Sequence, residues 1–150
     1  MPNDSMNEAP RIFPTMRYRD APAMIDWLER AFGFRRHAVY TEDDGTVAHA
    51  QLSFGAGMIM LGSARDDEFG KLVGTPMPGV PATQTIYIAV DDADAHHDRA
   101  KAAGAEIVMP LTDQPYGSRD YICRDPEGHV WCFGTYWPKA DETPMPPLES

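Results

Sequence analysis

Apolar residues recur every three or four positions in two stretches of the chain, a spacing typical of helices that pack one face on a sheet. Asp20 precedes the first stretch, where its carboxylate can accept from free backbone N–H groups, and Gly33 follows as a helix stop. The second stretch begins after Asp92 and closes at Gly104. The apolar positions of the first helix are Ala21, Met24, Ile25, Leu28, Ala31 and Phe32. The pattern predicts one amphipathic helix in each half of the chain.

Short apolar runs separated by turn-forming residues predict eight strands. Four lie in the first half, at residues 11–18, 35–41, 46–54 and 58–62. Four lie in the second half, at residues 83–90, 106–109, 119–124 and 129–136. Each half therefore has the order βαβββ, and the predicted fold class is α+β. Residues 63–82 are rich in Gly, Pro and charge, and we expect a linker or lid there.

The two halves also match in sequence when the chain is shifted by 72 positions. The identities pair Asp20, Ala21, Ala23, Asp26 and Ala31 with Asp92, Ala93, Ala95, Asp98 and Ala103. The repeat predicts one domain at residues 11–137, with module 1 at 11–62 and module 2 at 83–137. We expect residues 1–10 to be disordered and residues 138–150 to form a flexible tail.

Composition narrows the possible partners and the compartment. The 150 residues are 43% hydrophobic and 24% charged, which suits one globular domain, and a net charge of −10 argues against nucleic-acid binding. No run approaches the roughly 20 apolar residues of a membrane helix, and residues 1–10 lack the features of a secretory signal. The chain is expected to be soluble and cytoplasmic. Cys123 and Cys132 lie in apolar runs outside any zinc motif, so buried reduced thiols are expected.

Four segments of the chain carry a family resemblance. They are RYRDAPAMIDWLERAFGF and AHAQLSFGAGMIML in the first half, and VDDADAHHDRAKAAGAEI and YGSRDYICRDPEGHVWCFGTY in the second. In order and spacing they resemble the glyoxalase/bleomycin-resistance/extradiol-dioxygenase superfamily, also called vicinal oxygen chelate proteins, over residues 11–137. The resemblance implies tandem βαβββ modules that form a curved mixed sheet cup with helices on its outer face. It leaves the activity open, because this fold hosts lyases, isomerases, dioxygenases and drug-binding proteins.

The resemblance also locates the positions at which metal-dependent relatives hold their ion. These positions are Phe13, Met60, Thr85 and Cys132, and the offset of 72 pairs 13 with 85 and 60 with 132. A divalent cation in such a cup needs several strong oxygen or nitrogen donors. A ring, a thioether, a hydroxyl and one thiol do not supply them, so we expect neither a metal nor another cofactor.

Alternation along the strands predicts which side chains line the cup. We expect Ala50 and Leu52 to face the helix, which leaves His49 and Gln51 facing the cup. The repeat then sends Arg119, Tyr121 and Cys123 toward the cup, and Trp131 and Phe133 toward the helix. The predicted ligand-binding residues are Phe13, Arg17, His49, Gln51, Met60, Tyr87, Arg119, Tyr121 and Cys132.

Several of these residues have a structural as well as a functional interpretation. His49 is either a hydrogen-bonding wall residue or a general base. Arg17 and Arg119 either grip a carboxylate or phosphate of the ligand or form ordinary salt bridges with the chain's many acidic residues.

Two functions remain open on this sequence. The first is a metal-free protein that binds a small aromatic organic molecule, such as a drug or metabolite, and resembles the bleomycin-resistance branch of antibiotic-sequestering homodimers. The second is a lyase, isomerase or dioxygenase of the same superfamily. Such an enzyme would use an unconventional metal site at His49 and Gln51, or His49 as general base with Arg119 or Tyr121 stabilising negative charge.

Overall fold

The computed structural model describes residues 9–144 and 146–147. The helices are α1 (Ala21–Phe32), α2 (Glu68–Leu72) and α3 (Ala93–Ala102). The strands are β1 (Thr15–Tyr18), β2 (Arg35–Thr41), β3 (Val47–Phe54), β4 (Gly57–Ser63), β5 (Ile86–Ala89), β6 (Glu106–Asp113), β7 (Arg119–Arg124) and β8 (Val130–Gly134). Among the described residues, none of the helices combines the length and the apolar character needed to cross a membrane.

The strands form two four-stranded sheets with the same topology. The strand orders are β1-β4-β3-β2 and β5-β8-β7-β6. The pairs β1–β4 and β5–β8 are parallel, and the remaining neighbours are antiparallel. The predicted α+β class and the tandem βαβββ order are therefore confirmed. The sheet face that packs against the helices is called the helix face, and the opposite side, which the family resemblance predicts to be the inside of the cup, is called the concave face.

Local chemistry explains where the two long helices begin and end. The Asp20 carboxylate accepts a hydrogen bond from the backbone N–H of Ala23 at 3.2 Å, and Gly33, whose φ of +91° suits glycine, caps the other end of α1 directly after Phe32. Asp92 caps α3 in the same way, through the N–H of Ala95 at 3.0 Å.

The core lies where α1 and α3 meet the helix faces of both sheets. Phe32, at the end of α1, places its ring 5.2 Å from that of Trp131 and 4.7 Å from that of Phe133, both on β8. All three side chains are fully buried. Aromatic rings at these separations stabilise one another in addition to the area that they bury, so the end of α1 fixes the first module on the second sheet.

The element boundaries differ from the prediction at several ends. β1 begins at Thr15 rather than at residue 11, since Pro14 has no N–H to donate to a ladder, although its carbonyl accepts from Met60 at 2.9 Å. β5 likewise covers only Ile86–Ala89, whereas β6 extends to Asp113. The segment 63–82 contains the short helix α2, which was not predicted. Residues 1–8, most of the segment predicted to be disordered, lie outside the described residues, as do 145 and 148–150 of the predicted tail.

Candidate functional site

The concave face of the first sheet carries two imidazoles joined through one carboxamide. Oε1 of Gln51 lies 2.9 Å from Nε2 of His49, and Nε2 of Gln51 lies 3.0 Å from Nδ1 of His37. Because the amide oxygen only accepts and the amide nitrogen only donates, His49 donates from Nε2 and His37 accepts at Nδ1. The two imidazoles and the amide therefore form one continuous hydrogen-bonded chain, called the His–Gln–His chain below.

His37 was absent from the predicted site, which assigned no side to the residues of β2, and a β-bulge determines the side that it takes. Regular alternation along β2 would give His37 the same side as Val39, which packs against the core. In the structure Arg36 pairs with Leu52 and Ala38 pairs with Gln51, so β2 contains one residue more than β3 between these pairs. A bulge re-aims side chains in this manner. Neither the spacing nor the composition of β2 signals it.

Two thioethers flank this chain on β4. Met60 pairs with Gln51 and Met58 pairs with Ser53, so these side chains share one face, and the Met58 sulfur lies 3.7 Å from Nε2 of Gln51. The predicted assignment of His49, Gln51 and Met60 to one side of the sheet thus agrees with the observed register. The resulting surface combines polar hydrogen-bonding groups with polarizable apolar ones.

Arg17 lies at the far end of the same sheet, beside a small polar cavity of about 260 Å³. Its guanidinium stands 4.8 Å from the centre of the Phe69 ring of α2 and donates to the carbonyl of Ser63 at 3.4 Å. Burial, and then the nearby positive charge of Arg65, lower the pKa of Arg17. Gly62 gives the guanidinium its space, because a Cβ there would collide with Nη1. Arg17 therefore takes part in a cation–π contact, an alternative that the sequence did not suggest.

The concave face of the second sheet is built from different chemistry. Tyr87 pairs with Cys132 in the parallel register, and its hydroxyl donates to the carbonyl of Tyr136 at 2.6 Å. Burial raises the pKa of Cys132 to about 11. The thiol is thus protonated at neutral pH, and it is a poor nucleophile and a poor metal ligand.

Tyr121 does not line the concave face, contrary to the prediction. It pairs with Phe133, and Cys123 pairs with Trp131, and directly paired residues of an antiparallel sheet point to the same side. Tyr121 is 1% exposed, and its hydroxyl lies 2.6 Å from Nδ1 of His96 on α3. Burial raises the pKa of Tyr121, and it raises the pKa of Cys123 to about 12.

Arg119 is displaced to the helix side for the same reason. Its guanidinium pairs with Asp94 of α3 at 2.9 Å and with Asp113 of β6 at 3.1 Å. The structural interpretation of Arg119 as a salt-bridge residue is therefore the one that the geometry supports. The prediction failed because the two hairpins differ in length. Residues 125–129 separate the paired residues Arg124 and Val130 of β7 and β8, whereas residues 54–57 separate the equivalent pair of β3 and β4, Ser53 and Met58, and this turn is one residue shorter. The offset of 72 becomes 71 for β7, which reverses the side of every residue on that strand.

The positions at which metal-dependent relatives hold their ion do not suit a metal here. Phe13 is half-buried two residues before β1, and Thr85 is exposed directly before β5. Met60 and Cys132 lie on the concave faces. Their donor set is one thioether, one hydroxyl and one protonated thiol. The part of the chain that the structure describes also has no cluster of three His, Cys, Asp or Glu side chains able to hold an ion.

Known proteins share the sequence pattern and the fold of this chain. The model of the Glyoxalase/Bleomycin resistance protein/Dioxygenase superfamily matches residues 12–133. The crystal structure of TioX from Micromonospora sp. ML1 is similar, with 35% sequence identity and a TM-score of 0.66, covering 83% of this chain and 97% of TioX. An uncharacterized protein of Mycobacterium tuberculosis is 33% identical over 136 residues, 87% of this chain and 76% of the relative. The anthracycline biosynthesis protein DnrV of Streptomyces peucetius is 31% identical over 123 residues, 77% of this chain and 44% of DnrV. The chain belongs to the glyoxalase/bleomycin resistance protein/dioxygenase superfamily.

Proposed function

We propose that this chain binds a small aromatic organic molecule, a drug or a metabolite, on its concave sheet faces and without a metal ion. The observation that supports this most strongly is the His–Gln–His chain beside Met58 and Met60. Binding sites for organic molecules are mostly apolar surfaces with a few well-placed polar groups that set the orientation. The concave face of the first sheet has this composition.

The hydrogen bonds within the His–Gln–His chain define what it offers a ligand. With neutral imidazoles, donation from Nε2 of His49 makes its Nδ1 an acceptor, and acceptance at Nδ1 of His37 makes its Nε2–H a donor. The ring of Tyr40 stacks on His49 with centroids 6.2 Å apart. A flat molecule with one donor and one acceptor on its edge would therefore satisfy both ends of the chain while its faces contact the thioethers.

The competing catalytic hypothesis loses two of its groups. A metal-free reaction with His49 as base would need a neighbour that stabilises negative charge, and Arg119 and Tyr121 were the candidates. Both lie on the helix side of the second sheet, with Asp94 and His96 as their partners. The concave face of the first sheet contains His49 without either of them, which favours binding over catalysis.

The dimeric state and the compartment also belong to this proposal. We propose a homodimer in which the concave face of the first sheet of one copy faces that of the second sheet of its partner, as in the bleomycin-resistance branch. A cytoplasmic location is supported by Cys123 and Cys132, both of which are unpaired. The relative DnrV is named for anthracycline biosynthesis, and this supports a small organic ligand over a macromolecular one.

Two measurements test this proposal. Protein dialysed against Zn, Ni, Mn or Fe salts and then against buffer should retain far less than one ion per chain by mass spectrometry of the metals. Isothermal titration with bleomycin-type glycopeptides and planar aromatic antibiotics should show saturable binding to at least one of them. Gln51→Leu should weaken that binding about tenfold, since it breaks both hydrogen bonds of the His–Gln–His chain.

The matched control is Gln84→Leu, the same change at an exposed position two residues before β5. It should leave the affinity within about twofold of the wild type. Stoichiometric metal that is lost in a His37→Ala, His49→Ala double variant would overturn the metal-free proposal. If no compound of the panel gave a saturable binding isotherm, the choice of aromatic ligands would be overturned.

A further inference from the structure

The internal repeat creates two equivalent junctions between the modules, and only one of them is filled. At each junction the end of one module's first strand meets the turn before the other module's last strand. The first junction joins the end of β1 to the turn at residues 125–129, and the second joins the end of β5 to the turn at residues 54–57. A comparison of the two shows what the second one lacks.

Hydrogen bonds and rings close the first junction. The hydroxyl of Tyr18 donates to the buried carboxylate of Asp125 at 2.6 Å, and Nε1 of Trp131 donates to the same oxygen at 3.0 Å. The ring of His129 lies 4.7 Å from that of Tyr18. The Glu127 carboxylate accepts from the backbone N–H groups of Arg19 and Asp20, so the turn is anchored on the start of α1.

All four equivalent positions of the second junction carry a less polar residue, and three of them carry a smaller one. Val90 stands where the first junction has Tyr18, Ile59 where it has Trp131, Gly57 where it has His129, and Phe54 where it has Asp125. All four line a cavity of about 820 Å³. The cavity therefore exists because the second junction lacks the side chains that fill the first.

The inner wall of this cavity is mostly apolar, and its polar side chains His96 and Arg99 already have hydrogen-bond partners within the chain. Phe32, Ile86 and Ile88 contribute hydrocarbon surface. Both ring nitrogens of His96 are occupied, one by the Tyr121 hydroxyl and the other by the carbonyl of Phe32 at 2.9 Å. The guanidinium of Arg99 donates to the carbonyls of Arg30 and Glu29, at 2.9 and 3.1 Å, and so compensates the carboxyl end of α1.

The exposed rim of the cavity is acidic and aromatic. Asp91 and Asp92 follow β5 there, and Trp137 and Ile12 are 52% and 87% exposed. The whole chain carries a net charge of −10, so the field at this rim attracts cations. A volume of about 820 Å³ lies within the range of pockets that bind drug-sized molecules.

We infer that this junction cavity, which adjoins the concave faces at Met58 and Tyr87, is a second binding site for a compact aromatic molecule that carries an amine. The aromatic body lies between Phe32, Ile86 and Ile88, and the ammonium group lies at the rim beside Asp91. A carboxylate in place of the amine is disfavoured, because the two aspartates outnumber the one guanidinium of the lining, that of Arg99. The site depends on the asymmetry of the two junctions and not on the proposed binding at the His–Gln–His chain.

The test uses two probes of equal size, 1-naphthylmethylamine and 1-naphthalenemethanol, titrated into the full chain by calorimetry at pH 7.5. The amine should bind more tightly than the alcohol. Ala95→Phe places a ring in the cavity from an exposed position of α3 and should weaken both probes at least about tenfold. Asp91→Asn should weaken the amine about threefold and leave the alcohol unchanged.

Matched controls are Ala102→Phe, at an exposed position of α3 outside the cavity, and Asp43→Asn, an equal charge change in a remote turn. Both should behave as the wild type. Circular dichroism confirms that each variant is folded, and Asp91→Asn tests the site even if Ala95→Phe unfolds the chain.

Three results would overturn the inference. One is the absence of amine binding to the wild type at millimolar concentration. Another is loss of amine binding in Gln51→Leu but not in Ala95→Phe, which would place the probe on the concave face and leave the proposed function intact. The third is dissociation of a wild-type dimer by Ala95→Phe in sedimentation equilibrium, which would show that a second copy of the chain fills the cavity.

Discussion

Replacement of Asp125 by Asn preserves the shape of the side chain at the first junction and removes its charge. The buried carboxylate accepts four hydrogen bonds. One oxygen accepts from the Tyr18 hydroxyl at 2.6 Å and from Nε1 of Trp131 at 3.0 Å, and the other accepts from the backbone N–H groups of Glu127 and His129 at 3.0 and 3.1 Å. An Asn side chain has one oxygen, so in either orientation its NH₂ group faces two donors.

The cost follows from this count. In either orientation at least one buried N–H group loses its acceptor, which costs about 1–3 kcal/mol, and the remaining bonds lose the assistance of the charge. We expect the free energy of unfolding to fall by about 2–5 kcal/mol, a large part of the total of roughly 5–15 kcal/mol that domains have. In a chain of 150 residues this lowers the melting temperature by roughly 5–15 °C.

Urea denaturation followed by circular dichroism measures this change. Tyr18→Phe removes one of the four donors and should cost about 1–2 kcal/mol. The matched control is Asp113→Asn, which removes an exposed carboxylate paired with Arg119 and should change stability by less than about 0.5 kcal/mol. If Asp125→Asn were no more costly than this control, the junction network would not hold the modules together, and the contrast with the open junction would lose its basis.

Three further predictions concern other parts of the molecule. Burial lowers the pKa of His96, so the folded state favours the neutral ring, and the stability that this ring contributes above about pH 6.5 should be lost as the pH falls below that value. Urea titrations at several pH values should show a smaller loss in His96→Gln. The Cys132 thiol, with a pKa of about 11, should react with iodoacetamide far more slowly at pH 7.5 than free cysteine, and stoichiometric labelling within minutes would contradict this. Gly62→Ala should destabilise the chain by about 1–3 kcal/mol because the new methyl displaces Arg17, whereas Gly74→Ala, with open space around it, should cost less than about 0.5 kcal/mol by thermal unfolding.

Regular periodicity made most of the fold predictable. The apolar spacing of α1 and the Asp20 and Gly33 signals at its ends correspond to the helix that is observed. Helix α2 was not predictable in the same way, since five residues are too few to show a helical period. The strand ends at Pro14 and beyond Met109 depend on which neighbours are available for pairing, which is a tertiary property.

Side-chain direction was predictable on β3 but not on β7. Trp131 and Phe133 were assigned correctly to the helix side, and both are fully buried. Their cross-strand partners Tyr121 and Cys123 must share that side, so the two sequence-based assignments were incompatible with each other. The prediction applied the offset of 72 to β7, although the turn between β7 and β8 is one residue longer than the turn between β3 and β4. Register in a hairpin depends on the turn, and a shift of one residue exchanges the two faces of the strand.

This single additional residue in the turn at 125–129 also contributes to the difference between the two modules. With β7 shifted by one position, Ile122 stands on the concave face where the first sheet has Gln51, so this position of the second module carries an apolar side chain. The same turn supplies Asp125 and His129, which close the first junction, while the shorter turn at residues 54–57 leaves the second one open. The two βαβββ modules thus share one strand order, and the residues at equivalent positions, together with one difference in turn length, give the first module a polar concave face and leave a cavity at the second junction.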